Sequence, residues 1–356
     1  MLNRGKKNVG FKGVFEEMPT DGPDFAYEMK TAVRTGNVGL LRNLATENLN
    51  TGPEFVSETK DFVLDCLYQA IRMADLDCIE VFFEQAEADV NVWFRDNLTP
   101  LQLAAKYGIP SEERETAETL SDSDQVTEWH PPDIHGVVHN QIIHLLVSKG
   151  ASLECSDQNG MRALHHAVMR NNLNCVMQLI SEGADLNCLD NASMTPLLLA
   201  VRAGSSRIVQ LLLQQNADAT ICDNRSCNVF HHACYHGNEK ITDIIYKHLT
   251  RQFDEKLAKE MLNTKNIRME TPLHLAILSK SFPATEYCLN AGADISAVTF
   301  QQETALHLAA RSGNMNIVEA LLKRQLKVDA TNSQMQTPLF YAIEGGHTYV
   351  VERLLN

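Results

Sequence analysis

Thr271-Pro272-Leu273-His274-Leu275-Ala276 is the stretch that decides the fold, because variants of it recur along most of the chain. The related stretches begin at Thr99, Arg162, Thr195, Asn228, Thr304 and Thr337. Four of the six steps between neighbouring copies, including the step from Thr271 to Thr304, are 33 residues long. The other two are 43 and 63 residues, which is one period plus ten and one period plus thirty. A period of this length predicts a stack of similar units rather than one closed core.

Each copy carries the signals of two short helices joined by a tight turn, as the copy at Thr304 illustrates. The Thr304 side chain can cap the first helix, and Gly313 can end it, because glycine adopts a left-handed backbone at low cost. The residues predicted to face the core are Leu306, Leu308, Ala309, Ile317, Val318, Leu321 and Leu322. One hairpin of this size cannot bury its apolar face alone, so it must stack on its neighbours.

This phrase at a period of about 33 residues is typical of the ankyrin repeat. We therefore predict an all-α ankyrin-repeat solenoid of about nine helix-turn-helix repeats, with an acidic insertion in the third. Two weaker copies near Tyr27 and Asp65 complete the nine, since terminal repeats are usually atypical. Residues 1–24 are predicted to form a flexible N-terminal tail, and residues 25–356 the ankyrin-repeat domain. The predicted repeats lie near residues 25–62, 63–96, 97–159 with the insertion at 108–138, 160–192, 193–225, 226–268, 269–301, 302–334 and 335–356, the last being incomplete.

Three segments depart from this period. The basic start of the tail could contact an anionic membrane surface, although a solvated terminus explains it more simply. The insertion at 108–138 carries eight acidic residues against a single Arg114, and it has too little apolar surface to order itself. Its run Ser121-Asp122-Ser123-Asp124 would suit an acidophilic kinase. Between His248 and Arg268, apolar residues near a helical period predict an extended second helix and then a longer loop.

Charge and cysteine content limit the class of protein. The formal net charge of −14 disfavours nucleic acid as a partner and favours solubility or basic partners. Nine cysteines at irregular spacing suit a reducing compartment, which predicts free thiols and a cytosolic location. No apolar run approaches the roughly 20 residues that span a bilayer, and no signal peptide is recognisable.

The residues indicate no catalytic or metal site, and we predict no enzyme activity and no cofactor. The pair His231-His232 with Cys222 and Cys227 lacks the close spacing of zinc ligands. A histidine that joins adjacent loops by hydrogen bonds explains the column formed by His165, His231, His274 and His307. Cys222 and Cys227 lie beside Arg225 and are the best candidates for reactive thiols, although ordinary thiols explain them better. Partner contacts are expected on the concave finger and inner-helix positions, but one sequence does not select individual residues.

The ninth copy ends in an apolar stripe that normally receives another repeat. The stripe consists of Val350, Val351, Leu354 and Leu355. Because a solenoid needs a polar outer face on its end repeat, we expect the chain to be the front part of a longer protein.

The residues around the repeats carry a family resemblance. The lead-in from Gly13 to Pro19, with Asp24-Phe25, and the ten-residue expansion between Asn228 and Thr271 resemble the N-terminal ankyrin region of transient receptor potential ankyrin channels. The resemblance implies a tetrameric, calcium-permeable, non-selective cation channel whose six-span membrane domain is absent from this chain. The chain would then be a cytosolic arm at the plasma membrane, with protein partners on its concave face and no nucleic acid.

Two other functions remain open at this point. One is a soluble, cytoplasmic ankyrin-repeat adaptor or inhibitor that binds a protein partner on its concave face. The other is an ankyrin-repeat segment fused to an enzyme, which would require catalytic motifs beyond residue 356.

Overall fold

The computed structural model describes residues 25–48, 56–84, 88–107, 134–324 and 326–355. These ranges contain nineteen helices and no extended strand, apart from one isolated bridge between Val298 and Thr304. The predicted tail 1–24 lies outside the described residues. Of the predicted insertion 108–138, only residues 134–138 are described, and they belong to a helix.

The helices follow one another in pairs along the chain. They are α1 Phe25–Thr35, α2 Val38–Asn48, α3 Val56–Met73, α4 Leu76–Glu84, α5 Pro100–Tyr107, α6 Ile134–Ser148, α7 Ala163–Met169, α8 Leu173–Ser181, α9 Pro196–Ala203, α10 Ser206–Gln214, α11 Val229–Tyr235, α12 Glu239–Gln252, α13 Glu255–Leu262, α14 Pro272–Leu278, α15 Phe282–Asn290, α16 Ala305–Ser312, α17 Met315–Leu322, α18 Pro338–Glu344 and α19 Thr348–Leu355. Nine pairs result, and α13 is the additional helix.

The pairs stack into two layers. The first helices of the pairs pack side by side in one layer, in the order α1, α3, α5, α7, α9, α11, α14, α16 and α18. The second helices form the other layer, in the order α2, α4, α6, α8, α10, α12, α15, α17 and α19. The core runs continuously between the layers, with Phe82 and Phe230 among its largest fully buried side chains. The structure is therefore an all-α solenoid that grows in one dimension, as the repeat predicts.

The ends of the helices follow the predicted signals. Thr304 is the N-cap of α16, and its N–H donates to Nδ1 of His307 at 3.1 Å. Gly313 ends the same helix at a φ of 70°, and Gly204 ends α9 at 76°. A left-handed residue at this place satisfies carbonyl groups at the end of the helix, which favours glycine.

The loops that lead from a second helix to the next first helix are called finger loops here. Neighbouring fingers are joined by backbone hydrogen bonds in one register: the Asn224 N–H donates to the Ala192 oxygen at 3.1 Å, and the Ile267 N–H donates to the Arg225 oxygen at 3.1 Å. The Phe300 N–H makes the equivalent backbone hydrogen bond one finger further along. Because each finger is held by the next, residues at equivalent finger positions form ordered rows along one edge of the solenoid.

The single extended helix predicted between His248 and Arg268 is wrong in one respect. Helix α12 is long, but it ends at Gln252, because the next residue, Phe253, has a φ of −118° and a ψ of −98°, which are not helical. Asp254 then caps a separate helix, α13, by accepting a hydrogen bond from the Leu257 N–H at 2.6 Å. An aspartate at this point stabilises a new helix start better than a helix interior, so the segment folds into two helices.

Candidate binding groove on the finger face

A groove of about 740 Å³ lies where the finger loops meet the first helices α9, α11 and α14. We call the surface formed by finger loops and first helices the finger face. The groove lining includes three arginines and three large apolar or aromatic residues, namely Arg202, Arg225, Arg268, Tyr235, Ile267 and Leu278. The sequence placed partner contacts on this kind of surface without selecting any of these residues.

The finger that carries Arg225 is fixed by a buried carboxylate. Oδ1 of Asp223 accepts hydrogen bonds from the N–H groups of Arg225 and Cys227, each at 2.8 Å. Oδ2 of Asp223 accepts from Nε2 of His232, on α11, at 3.0 Å. This turn therefore positions the Arg225 backbone relative to the helix beneath it.

The next finger uses an amide in the same way. Oδ1 of Asn266 accepts from the N–H groups of Arg268 and Glu270 at 2.9 and 3.0 Å, and its Nδ2 donates to Oε2 of Glu270 at 2.9 Å. Arg268 thus occupies the finger position that Arg225 occupies one repeat earlier. The hydrogen bond from Ile267 to Arg225 holds the two fingers side by side.

The charges of the groove are not balanced by local ion pairs. Arg202, Arg225 and Arg268 are exposed, and no carboxylate in the described part of the chain forms an ion pair with any of them. The two acidic residues of the groove, Asp223 and Glu270, make the loop hydrogen bonds given above. Three guanidinium groups are consequently available to solvent or to a ligand.

Apolar side chains lie exposed among these arginines. Tyr235 at the end of α11 is 58% exposed and Ile267 at the tip of a finger is 63% exposed, while Leu278 at the end of α14 is 36% exposed. Aromatic residues and arginine are enriched at the energetic centres of protein interfaces. The groove therefore has the composition of a protein-binding surface.

A second cavity of about 400 Å³ lies near α1 and α3, and its two acidic residues have partners among the lining residues. Arg95 lies 3.6 Å from Asp65, and the Tyr68 hydroxyl donates to Asp96 at 3.2 Å. The groove around Arg225 is chosen as the candidate binding site because its two acidic residues bond within the loops while its three arginines are exposed beside apolar side chains.

Comparison with known proteins identifies the repeat. Three overlapping segments, residues 134–223, 207–299 and 284–356, match the family described as ankyrin repeats, and together they cover more than half of the chain. The chain belongs to the ankyrin-repeat family. The ankyrin fold predicted from the spacing of the copies is thereby confirmed.

One relative of this ankyrin chain is a human ion channel subunit. The chain is 36% identical over 84 residues to the transient receptor potential cation channel subfamily A member 1 of Homo sapiens. The match covers 21% of this chain and 7% of that relative. The chain therefore spans only a small part of the channel's length.

The histidine column of the ankyrin repeats has the structural role expected from the sequence. In each case Nδ1 accepts from the N–H of the residue that caps the helix, and Nε2 donates to a carbonyl of the next finger: for His274 the partners are Thr271 at 3.0 Å and Ala297 at 3.2 Å. His231 bonds in the same way to Glu270 at 3.1 Å. Burial lowers the pKa of both imidazoles to about 4, so they are neutral near pH 7 and bridge the repeats.

The cysteines are free thiols, and the structure offers no activation for the two highlighted by the sequence. Cys227 is buried, and burial together with Asp223 raises its pKa to about 11. Cys222 is exposed, and its pKa is also raised, by partial burial and then by Asp223. Arg225 lowers the pKa of Cys227 slightly, but burial and Asp223 outweigh it, so neither thiol has a lowered pKa. Within the described ranges, no group of three or more His, Cys, Asp or Glu side chains could hold a metal ion.

Proposed function

We propose that this chain is the cytosolic N-terminal ankyrin arm of a non-selective, calcium-permeable cation channel subunit. The identity of 36% with a human cation channel subunit carries the proposal, because it adds a specific relative to the shared ankyrin repeat. In this role the arm serves protein interaction, assembly and the coupling of a stimulus to gating, at the cytosolic face of the plasma membrane. The tetramer forms through a membrane domain outside residues 1–356.

The proposal assigns the membrane-spanning part of the protein to other segments. Among the helices of the described residues, none combines the length and the apolar character that crossing a membrane requires. The contribution of the ankyrin arm is therefore protein recognition on the finger face, where the groove exposes arginine and aromatic side chains.

A second candidate function is a soluble ankyrin-repeat adaptor or inhibitor. The groove favours this candidate because it is complete within the described chain and needs no neighbouring domain to form. Both functions share recognition of a protein partner, and they differ in what the chain is joined to.

Fractionation of native cells distinguishes the two. An antibody raised against residues 1–356 is used to blot membranes and cytosol after high-salt and alkaline washing. We expect a band well above 39.8 kDa that stays in the membrane pellet and is released only by detergent. A washable or soluble band near that mass would overturn the channel proposal and favour the adaptor.

A further inference from the structure

We infer that the groove around Arg225 and Arg268 binds an extended acidic segment of a protein partner, in the polyproline II conformation, with carboxylates on every third residue. The inference deepens the proposed function, on which it rests only for the role of the finger face in protein recognition. It names the chemistry of the partner and the residues that select it.

Charge complementarity is the first support. The chain has a formal net charge of −14, yet this groove is lined by three exposed arginines that form no ion pair within the described ranges. Guanidinium groups bind carboxylates through two parallel hydrogen bonds, which makes clustered arginines a common solution for acidic motifs. The expectation of basic partners from the overall charge therefore does not hold for this surface, where an acidic partner fits.

The spacing of the two finger arginines is the second support. Ile267 is hydrogen-bonded to Arg225 and directly precedes Arg268. One backbone hydrogen bond keeps the Cα atoms of Ile267 and Arg225 within about 7 Å, and consecutive Cα atoms are about 3.8 Å apart, so the two arginine Cα atoms lie at most about 11 Å apart. A polyproline II segment advances about 9 Å in three residues and returns to the same face, so carboxylates three residues apart can reach two arginines within this span.

The apolar surface between the charges completes the match. Tyr235, Ile267 and Leu278 offer exposed contact area within the same groove as the arginines. An apolar residue between the carboxylates of the partner can bury its side chain there, and a polyproline II segment loses little conformational entropy on binding. The partner segment is therefore acidic and apolar in alternation, with proline at some positions.

The test uses a fluorescent synthetic peptide in which glutamate recurs at every third position with proline and leucine between. Its affinity for the full chain is measured by fluorescence anisotropy at low and high salt. We expect binding that weakens with salt, and a loss of about tenfold in the Arg225→Ala/Arg268→Ala variant. The matched control is Arg251→Ala, on the exposed side of α12 and outside the groove, which should leave the affinity unchanged.

Several outcomes would overturn the inference. They are no binding of the acidic peptide, equal binding by the double variant, or tighter binding of a peptide with lysine in place of glutamate. A chain without residues 108–133 is tested in parallel and should bind equally well. Tighter binding after that deletion would show that the acidic insertion occupies the groove in the intact chain. This result would overturn the assignment of the groove to a segment of a separate protein. Each of these results leaves the fractionation test of the channel arm unaffected.

Discussion

The turns at the tips of the fingers give the sharpest prediction about stability. Ser226, Gln302 and Met335 occupy one position of the finger and have φ values of 58°, 60° and 61°. The same position in an earlier finger is Gly160, at 76°. A left-handed backbone costs a residue with a Cβ about 1–2 kcal/mol, and glycine avoids this cost.

Replacing these three residues together by glycine is expected to stabilise the solenoid. Each replacement removes about 1–2 kcal/mol of backbone strain and costs about 0.5–1 kcal/mol in unfolded-chain entropy, so the mid-range values of the two effects leave a gain of about 0.75 kcal/mol. The three side chains are exposed, so little packing is lost. The sites lie in different fingers, so their effects should add to about 1.5–3 kcal/mol.

Urea unfolding followed by circular dichroism measures the gain as an increase in the midpoint. The matched control is Gln301→Gly, one residue before Gln302 and equally exposed, whose backbone is not left-handed. It should destabilise by up to about 1 kcal/mol. The reverse change, Gly160→Ala, should also destabilise, since the new Cβ would lie 2.5 Å from Oδ1 of Asn191. A triple glycine variant that unfolds at the same or a lower urea concentration would refute the reasoning.

Four further predictions follow from the helix caps, the histidine column and the thiols. His274→Leu should lower the free energy of unfolding by about 1–3 kcal/mol because the Thr271 N–H loses its buried acceptor. His274→Gln should retain most of the stability, because Gln102 makes the equivalent bonds between two other repeats. Burial lowers the pKa of His231 to about 4, whereas the same imidazole in the unfolded chain has a pKa of about 6.5. As the pH falls from about 6.5 to 4, protonation therefore favours the unfolded chain and the free energy of unfolding should decrease. In acid titrations of unfolding, His231→Gln should reduce this loss by about 2 kcal/mol at pH 5. Asp254→Ala should cost about 1 kcal/mol in thermal or urea unfolding, and no loss would contradict its role as the cap of α13. Cys222, the exposed thiol, should react first with a thiol reagent under native conditions, and an unchanged fast phase in Cys222→Ser would contradict this by showing that another thiol reacts as fast.

The repeat architecture was predictable because its signals are local. Thr304 and Gly313 mark the two ends of one helix in the sequence, and they do so in the structure. The histidine column was also predictable, since a polar residue that recurs at the period of the repeat meets the same neighbours each time. The apolar period between His248 and Arg268 favoured one continuous helix, and that interpretation was wrong because Asp254 caps a separate helix.

The groove depends on contacts that one repeat does not contain. Arg225 and Arg268 are 43 residues apart, and they become neighbours only because the fingers are hydrogen-bonded in register. One repeat also does not show that nearby carboxylates bond within the loops, as Asp223 does, while no carboxylate among the described residues forms an ion pair with these arginines.

The central claim, recognition of a protein on the finger face, is tested most directly by site-specific photo-crosslinking of the full-length protein in its native cells. A benzophenone amino acid is placed at Tyr235, which is exposed in the groove, or at Arg251 on the second-helix layer. We predict a discrete protein adduct from position 235 that disappears in the Arg225→Ala/Arg268→Ala background, and none from position 251. Adducts that form equally at both positions, or that persist without the two arginines, would contradict the claim.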